Sequence, residues 1–238
     1  MKSRSPKNRR IFRHLTLHSK IAITVTAGLI LAGTVFIFIF EYSNPLTIGD
    51  MSLFDKIQVS FFQSVTTRTA GFASIPQENL TNASAAVSII LMLIGGSPVG
   101  TAGGMKTVTI AVLLCSAFST IRNKNCATLF GRRIPENTLK KAVAVTVTFF
   151  IICMTSAVLL MTATDASALD AVYEAVSATA TVGLSRNLTG TLNTFGKLIL
   201  IVTMYFGRVG PISLAVALGS KNESQNVISE PTEEISIG

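Results

Sequence analysis

The sequence predicts an all-α membrane protein with two parallel units, each a spanning helix, a short helix with a re-entrant loop, and a second spanning helix. Two observations predict this fold: long apolar runs, and a Thr/Gly skeleton that recurs 112 residues later. Of the 238 residues, 49% are hydrophobic and 13% charged. A soluble domain usually carries about twice that charged fraction. The composition therefore favours a bilayer environment.

The net charge of +8 is concentrated in two basic segments. Residues 1–20 hold seven Lys/Arg and no acid, and residues 122–141 hold six more against Glu136 alone. No aromatic residues interleave with them in a base-stacking pattern, so we expect a lipid surface and no nucleic acid as partner. The intervening stretches 41–83 and 163–194 are mixed or acidic, which predicts that they face outside while the basic segments face the cytoplasm.

Four apolar runs are long enough to cross a bilayer as helices, at about 21–40, 84–121, 142–162 and 195–218. Glycines and a proline break the second run in its middle. The predicted organisation is a basic cytoplasmic leader (1–20), repeat A (21–121), a basic cytoplasmic link (122–141), repeat B (142–219) and a cytoplasmic tail (220–238).

Two segments of the outer stretches are predicted to be short helices, 54–65 and 169–178, and both are too short to span. Each runs into a Thr-x-Thr-x-Gly element, which gives pore loops at 54–72 and 169–185. Irregular backbone at membrane depth persists only where protein buries it or where it lines an aqueous path. Because both units start on the cytoplasmic side, the repeat is parallel and not inverted, which argues against an alternating-access carrier.

Thr-x-Thr-x-Gly suits the binding of a dehydrated cation. Backbone carbonyls can form a ring of oxygens, glycine permits the required backbone geometry, and threonine hydroxyls can add a further oxygen layer. A polar outer turn uses the same residue types, but two copies in register favour an ion filter. The candidate filter residues are Thr67, Thr69, Ala70, Gly71, Thr179, Thr181, Val182 and Gly183.

A second glycine-rich element interrupts the run 84–121. Helix cannot persist through its glycines and Pro98 without support, and its freed backbone groups need water or protein partners, which implies a cavity. Arg208 lies inside the last apolar run, where an unpaired charge costs at least about 2.5–3.5 kcal/mol. We expect it to face an aqueous path, with snorkelling to the cytoplasmic interface as the alternative.

Several stretches resemble the Trk/Ktr/HKT superfamily of potassium transporters. Residues 62–72 (FQSVTTRTAGF) resemble its third filter segment, 94–106 (IGGSPVGTAGGMK) its intramembrane loop, 180–185 (ATVGLS) its fourth filter segment, and 204–211 (MYFGRVGP) its last helix. The closing residues 230–238 (EPTEEISIG) resemble the end of the bacterial Ktr membrane subunit. The resemblance covers nearly the whole chain.

The resemblance implies potassium transport, with K+ or Na+ as the transported ion and no tightly bound cofactor or other metal. It implies a multi-pass protein of the bacterial inner (plasma) membrane that forms homodimers and docks a cytoplasmic, nucleotide-binding ring of the RCK type. It also implies that the arginine and the intramembrane loop act as a gate. The implied gate residues are Gly95, Gly96, Gly100, Thr101, Gly103, Gly104, Lys106 and Arg208.

Members of that superfamily carry four such repeats, and this chain holds counterparts of the third and fourth. We therefore expect half of a four-repeat pore, whether as a fragment, a mis-started frame or a split subunit, that pairs with the missing N-terminal half or a second copy. A non-conducting membrane scaffold that binds a partner is the alternative. Arg68, Glu41 and Glu174 are expected near the outer mouth, as ordinary interfacial charges or as carboxylates that concentrate cations.

Enzymatic function is not expected, because no hydrolase triad, paired catalytic carboxylates or metal cluster is recognisable. Cys115, Cys126 and Cys153 have no pairing or zinc spacing and are expected to be free thiols.

Overall fold

A computed structural model describes residues 15–97, 102–124 and 126–210 of the chain. Most of the predicted leader, the candidate gate residues Gly100 and Thr101, the end of the predicted span 195–218 and the whole tail 220–238 lie outside these ranges.

The described chain is mostly helical. Its α-helices are α1 (Leu17–Glu41), α2 (Leu53–Thr66), α3 (Asn82–Leu93), α4 (Thr107–Ile121), α5 (Glu136–Ala163), α6 (Ala168–Thr179), α7 (Leu188–Thr191) and α8 (Thr194–Val209), with a 3-10 turn at Gln77–Asn79.

One small element is not helical and was not predicted. Strands β1 (Thr128–Leu129) and β2 (Arg132–Arg133) form an antiparallel hairpin within the basic link. Phe130 and Gly131 connect them with φ of 49° and 75°, and positive φ at both turn residues matches the twist of a two-residue hairpin. A phenylalanine at the first turn position is an uncommon signal, so the all-α prediction missed this hairpin.

Two of the helices, α1 and α5, are long and apolar enough to cross a membrane. The predicted run 84–121 is divided between α3 and α4, and the described residues between them, 94–97 and 102–106, are not helical because glycines remove the helical preference. Helix α5 begins at Glu136, six residues before the predicted span 142–162, so the basic link is shorter than expected.

Both short helices begin at a side-chain cap. The hydroxyl of Ser52 accepts the backbone N–H of Asp55 and donates to its carboxylate at 2.7 Å. Ser167 and Asp170 make the same pair of contacts at the start of α6. These reciprocal bonds satisfy two otherwise unpaired groups and fix where each helix starts. The two caps are 115 residues apart rather than 112, so α2 starts nearly one turn earlier relative to its loop than α6 does.

Helix α6 lies at the centre of the largest core cluster. It packs against α3, α5 and α8, and every residue from Tyr173 to Thr179 is buried. Helix α2 packs mainly on α1 and leaves an apolar face exposed, formed by Leu53, Phe54, Ile57 and Phe61. The second short helix is thus enclosed by the described helices, whereas the first has neighbours on one side.

The C-terminal end of α1 and the N-terminal end of α3 are joined by a buried carboxylate. Glu41, the last residue of α1, is 0% exposed. It accepts hydrogen bonds from Asn44 Nδ2 at 2.7 Å, from the Thr47 hydroxyl at 2.6 Å, and from Thr81 through its backbone N–H at 2.9 Å and its hydroxyl at 2.8 Å. Since Thr81 is the N-cap of α3, the carboxylate satisfies the start of one helix from the end of another.

We predict that Glu41→Ala lowers the free energy of unfolding by about 2–4 kcal/mol, because four buried or half-buried donors lose their acceptor. Thermal unfolding of the purified protein in detergent measures the change. Glu78→Ala is the control, since Glu78 is an exposed carboxylate of the same outer segment. Equal melting temperatures for the two variants would contradict the structural role of Glu41.

Candidate functional site

Two loops with the same backbone pattern follow the two short helices. Loop A (residues 67–72) follows α2 and loop B (residues 180–184) follows α6. In loop A the φ angles of Thr69 and Gly71 are 69° and 76°. In loop B those of Thr181 and Gly183 are 55° and 94°. Ala70 and Val182, the residues between these pairs, keep the ordinary negative φ. Both loops therefore have the same alternation of positive, negative and positive φ, although their sequences differ.

Side chains of α2 hold loop A in this conformation. The Thr66 hydroxyl donates to the Phe72 carbonyl at 2.6 Å and accepts the Phe72 N–H at 2.8 Å, which closes the loop across its ends. The Thr67 hydroxyl is buried and donates to the Ser64 carbonyl at 2.8 Å. The strained φ of Thr69, unusual for a β-branched residue, is supported by these flanking bonds.

Loop B is supported by different residues. Ser177 accepts the backbone N–H of Val182 on its carbonyl at 2.9 Å and that of Gly183 on its hydroxyl at 3.2 Å. The buried Thr179 hydroxyl donates to the Ala175 carbonyl at 2.7 Å. The hydroxyls of both candidate residues, Thr67 and Thr179, therefore donate to carbonyls of their own short helices.

The two loops meet backbone to backbone. A Cβ added to Gly71 would collide with the carbonyl oxygen of Val182, so only glycine fits at that point of loop A. A Cβ added to Gly183 would meet nothing nearer than the Gly71 Cα at 4.0 Å, which leaves open space beside loop B. The candidate residues 69–71 and 181–183 are thus brought together with one open side.

The glycine-rich segment between α3 and Lys106, the N-cap of α4, is called the glycine loop (residues 94–105, of which the structure describes 94–97 and 102–105). Its two ends are joined: the Met105 N–H donates to the Leu93 carbonyl at 3.1 Å and the Thr107 N–H donates to the Gly96 carbonyl at 3.3 Å. Gly95 lies so close to the Gly103 carbonyl that it has no room for a side chain. The first and last residues of the glycine loop are therefore held together by backbone hydrogen bonds.

The glycine loop contacts the start of both loop A and loop B. A Cβ added to Gly103 would collide with the Thr181 hydroxyl and with the Ala180 carbonyl, and Gly104 lies against the side chain of Ala180. On the other side, Arg68 of loop A donates from its guanidinium to the Gly95 carbonyl at 3.0 Å. One irregular segment thus lies against both candidate filter elements.

Arg68 was expected near the outer mouth, and the structure places its guanidinium at the C-terminal end of α3, where that helix gives way to the glycine loop. Loop A begins at the buried end of α2, so its first residues lie against the glycine loop.

The other two charges expected at the outer mouth are not open carboxylates. Glu41 is enclosed by the hydrogen bonds described above. Glu174 of α6 is 5% exposed and accepts from the hydroxyls of Ser185, at 2.7 Å, and Thr189. Both carboxylates therefore hold neighbouring segments in place, and neither presents free oxygens to solvent.

Helix α8 brings Arg208 to the same region. Gly207 lies directly against the Thr179 carbonyl at the end of α6 and has no room for a Cβ. The next residue, Arg208, is in the last turn of α8 and is exposed. Its guanidinium is within electrostatic reach of Lys106, whose ammonium donates to the Ala102 carbonyl of the glycine loop. Two cations therefore lie beside the glycine loop.

Three polar residues behind the loops were not recognised from the sequence. Gln63, Gln77 and Tyr173 are buried and bonded to one another. A glutamine on a membrane-embedded helix was the available signal, since a buried amide requires partners. In the described ranges no cluster of three or more His, Cys, Asp or Glu could hold a metal ion, and the three cysteines are free thiols.

A family model for TrkH, described as a cation transport protein, matches residues 7–230. The chain belongs to the TrkH cation transport protein family. It is 38% identical over 232 residues to the Ktr system potassium uptake protein B of Bacillus subtilis, covering 98% of this chain and 52% of that protein. It is 36% identical to its namesake in Vibrio alginolyticus, covering 97% of this chain and 50% of that protein. It is 34% identical to the potassium/sodium uptake protein NtpJ of Enterococcus hirae, covering 95% and 51%.

The fold agrees with this assignment. The crystal structure of the potassium transporter TrkH from Vibrio parahaemolyticus matches with a TM-score of 0.69 at 20% identity, over 84% of this chain and 43% of that one. The chain spans about half the length of the curated relatives that it matches. The predicted family is confirmed, and because the relatives are named as uptake proteins, so is the prediction that this chain is not an enzyme.

We predict that Gly207→Ala destabilises this TrkH-family chain by about 1–3 kcal/mol, because the new methyl group meets the rigid backbone carbonyl of Thr179. Gly28→Ala in α1 is the matched control. Its Cβ would have open space, so helix propensity makes that change neutral or stabilising by up to about 1 kcal/mol. Thermal unfolding in detergent measures both. A Gly207→Ala variant as stable as Gly28→Ala would contradict the close approach of α8 to α6.

Proposed function

We propose that this chain forms half of a potassium-conducting pore, in which backbone carbonyls of loops A and B bind the ion. The observation that carries the proposal is the shared alternation of φ in two loops that meet at Gly71 and Val182. A backbone that alternates between left- and right-handed residues can turn successive peptide groups toward one side. Carbonyl oxygens arranged in this way replace the hydration shell of a cation.

The short helices strengthen such a site electrostatically. Both α2 and α6 end directly at their loops, so each presents the partially negative end of its helix dipole there. Partial charges stabilise a cation without a carboxylate that would hold it too tightly. This fits the finding that Glu41 and Glu174 are occupied by hydrogen bonds, and it supports rapid release, which conduction requires.

Potassium is the proposed ion. The relatives from Bacillus subtilis and Vibrio alginolyticus are named as potassium uptake proteins, and the relative from Enterococcus hirae is named for potassium and sodium. In this proposal the chain needs no tightly bound cofactor, and potassium or sodium is cargo.

The glycine loop and Arg208 are the proposed gate. The loop lies against the starts of loops A and B, and two cations, Lys106 and Arg208, lie beside it. Positive charge below a cation filter repels a passing ion, and an arginine can also donate several hydrogen bonds to loop carbonyls. In the closed state of the proposed gate, the arginine and the loop carbonyls satisfy each other's hydrogen-bonding groups.

Two loops supply half of a closed ring, so the proposed pore requires more chain. The exposed apolar face of α2 is the surface where the preceding unit would pack, as α3 packs on α6. The missing N-terminal half is the proposed occupant, with a second copy of this chain as the other source. The assembled membrane subunit would be a multi-pass homodimer of the bacterial inner membrane, with an RCK-type ring docked on the basic segment 122–141.

Growth rescue of a potassium-uptake-deficient strain tests the whole proposal. The chain is expressed alone and together with an N-terminal half of a Ktr membrane subunit. Rescue only by the pair supports a half-pore, and rescue by the chain alone supports pairing with a second copy. Stable association without rescue in either case would overturn conduction and favour a membrane scaffold.

We predict that Gly183→Ser weakens the preference for potassium over sodium by roughly tenfold in the assembled transporter, because a side chain at positive φ changes how carbonyls are presented. Gly71→Ser is expected to be more severe, since its Cβ also collides with Val182. Gly190→Ser is the control, because Gly190 has ordinary φ and lies beyond loop B. Potassium uptake in the presence of competing sodium measures the preference. Unchanged sodium exclusion in Gly183→Ser would contradict the filter assignment.

We predict that Arg208→Ala raises cation flux several-fold without changing ion preference, because the gate loses charge while loops A and B are untouched. Lys197→Ala removes a cation from the other end of α8 and is the matched control. Tracer uptake into proteoliposomes measures the flux. Reduced or unaltered flux in a correctly inserted Arg208→Ala protein would assign the arginine a structural role instead.

A further inference from the structure

A buried polar bridge connects the two units behind loops A and B. Gln63 lies on α2, Gln77 in the 3-10 turn after loop A, and Tyr173 on α6, and their exposures are 0%, 3% and 0%. Gln63 Nε2 donates to Gln77 Oε1 at 2.6 Å, and the Tyr173 hydroxyl is 3.1 Å from the same oxygen. Three side chains from three segments therefore meet at one amide.

The amide of Gln77 has one orientation that satisfies every partner. Its Nε2 donates to the backbone carbonyl of Ile75 at 2.9 Å and to Gln63 Oε1 at 3.2 Å. A carbonyl can only accept, so the nitrogen must face Ile75 and the oxygen must face Tyr173. The phenol is therefore the donor. Both N–H groups and both lone pairs of Gln77 are used, which makes the bridge a fully satisfied buried network.

Comparison of the two units shows which member is special. At the offset of 112 residues, Gln77 corresponds to Thr189, and each ties the segment after its loop to its own short helix, Gln77 to Gln63 and Thr189 to Glu174. Tyr173 corresponds to Phe61, which has no hydroxyl and is 49% exposed. The hydroxyl of Tyr173 thus gives one unit a hydrogen bond to the short helix of the next, in addition to the packing of α3 on α6.

We propose that the Tyr173–Gln77 bridge sets the spacing between loops A and B and that Tyr173 is therefore a positioning residue for ion discrimination. The inference rests on the proposed pore. The bridge fixes α6 to the segment that follows loop A, and α6 leads into loop B. Loops A and B are therefore joined at two places, by this hydrogen bond and by the contact of Gly71 with Val182. Discrimination between two monovalent cations depends on small differences in oxygen spacing and number.

A hydroxyl is not needed for packing at this position. A phenylalanine ring would fill the same space in the core formed by α6 and its neighbours, where Tyr173 is among the largest fully buried side chains. The hydroxyl adds direction, since a hydrogen bond weakens steeply with distance and angle whereas apolar contact does not. Tyr173→Phe therefore separates positioning from burial.

Tyr173→Phe in the assembled transporter, together with its regulatory ring, tests the proposal. We expect the ratio of sodium inhibition constant to potassium KM to fall roughly three- to tenfold, the range that losing one buried hydrogen bond produces, while the maximal rate per inserted protein stays within about twofold. Tyr205→Phe is the matched control, because the side chain of Tyr205 is exposed. A purely structural role would lower the amount of inserted protein and leave the ratio unchanged, and that result would overturn the proposal.

A coupled pair of variants keeps the test decisive. Replacing Gln63 and Gln77 together by Leu removes both amides, and with them the acceptor of the Tyr173 hydroxyl and the donor to the Ile75 carbonyl. In the double-Leu background, Tyr173→Phe should not lower the ratio of sodium inhibition constant to potassium KM any further. A further, additive decrease would show that Tyr173 does not act through the bridge. If Tyr173→Phe fails to insert, the ratio of the double-Leu variant alone decides, since it must also fall. Gly183→Ser separates the two proposals. If Gly183→Ser alters the preference for potassium over sodium and Tyr173→Phe does not, the positioning role of the bridge is rejected. If the unaltered assembly transports neither ion, the proposed pore is rejected.

Discussion

The structure depends on how closely backbone can approach backbone beneath loops A and B. Gly103 of the glycine loop lies against Ala180 and Thr181, Gly207 of α8 lies against Thr179, and Gly71 lies against Val182. None of these approaches leaves room for a Cβ. Three separate segments are therefore drawn to the end of α6, and that helix is the most completely enclosed of the short ones. The placement of Arg208 and Lys106 beside the glycine loop is a consequence of this packing.

Buried carboxylates and hydroxyls join one segment of the chain to another. Glu41 joins α1 to the start of α3, Glu174 holds the segment after loop B, and Ser156 and Thr203 join α5 to α8 at 2.8 Å. Burying these groups without partners would cost several kcal/mol each in hydrocarbon. Glu41 and Glu174 are therefore structural, and the proposed pore relies on backbone oxygens and helix dipoles instead.

Much of this arrangement could be predicted from residue order because the signals are local. Ser-x-x-Asp pairs start both short helices, apolar runs mark α1 and α5, and the glycines of 94–106 end α3. The side on which Arg68 lies could not be predicted, since it depends on how far α2 descends before loop A begins. Thr81 lies 40 residues from its partner Glu41, and Gln77 lies 96 residues from its partner Tyr173; a single sequence does not identify such contacts. The hairpin at 128–133 was missed for another reason, because Phe130 is an unusual residue at positive φ.

The different surroundings of α2 and α6 have a consequence for synthesis. The ribosome produces α3 before α6, so the surface on which α6 packs is already present when α6 enters the membrane. In the described residues, the apolar face of α2 is not covered by any helix and remains exposed. In the described chain, α6 therefore meets a surface that is translated before it, whereas the apolar face of α2 stays exposed as translation proceeds. Exposed apolar surface of this kind makes partly folded chains prone to aggregation until it is covered.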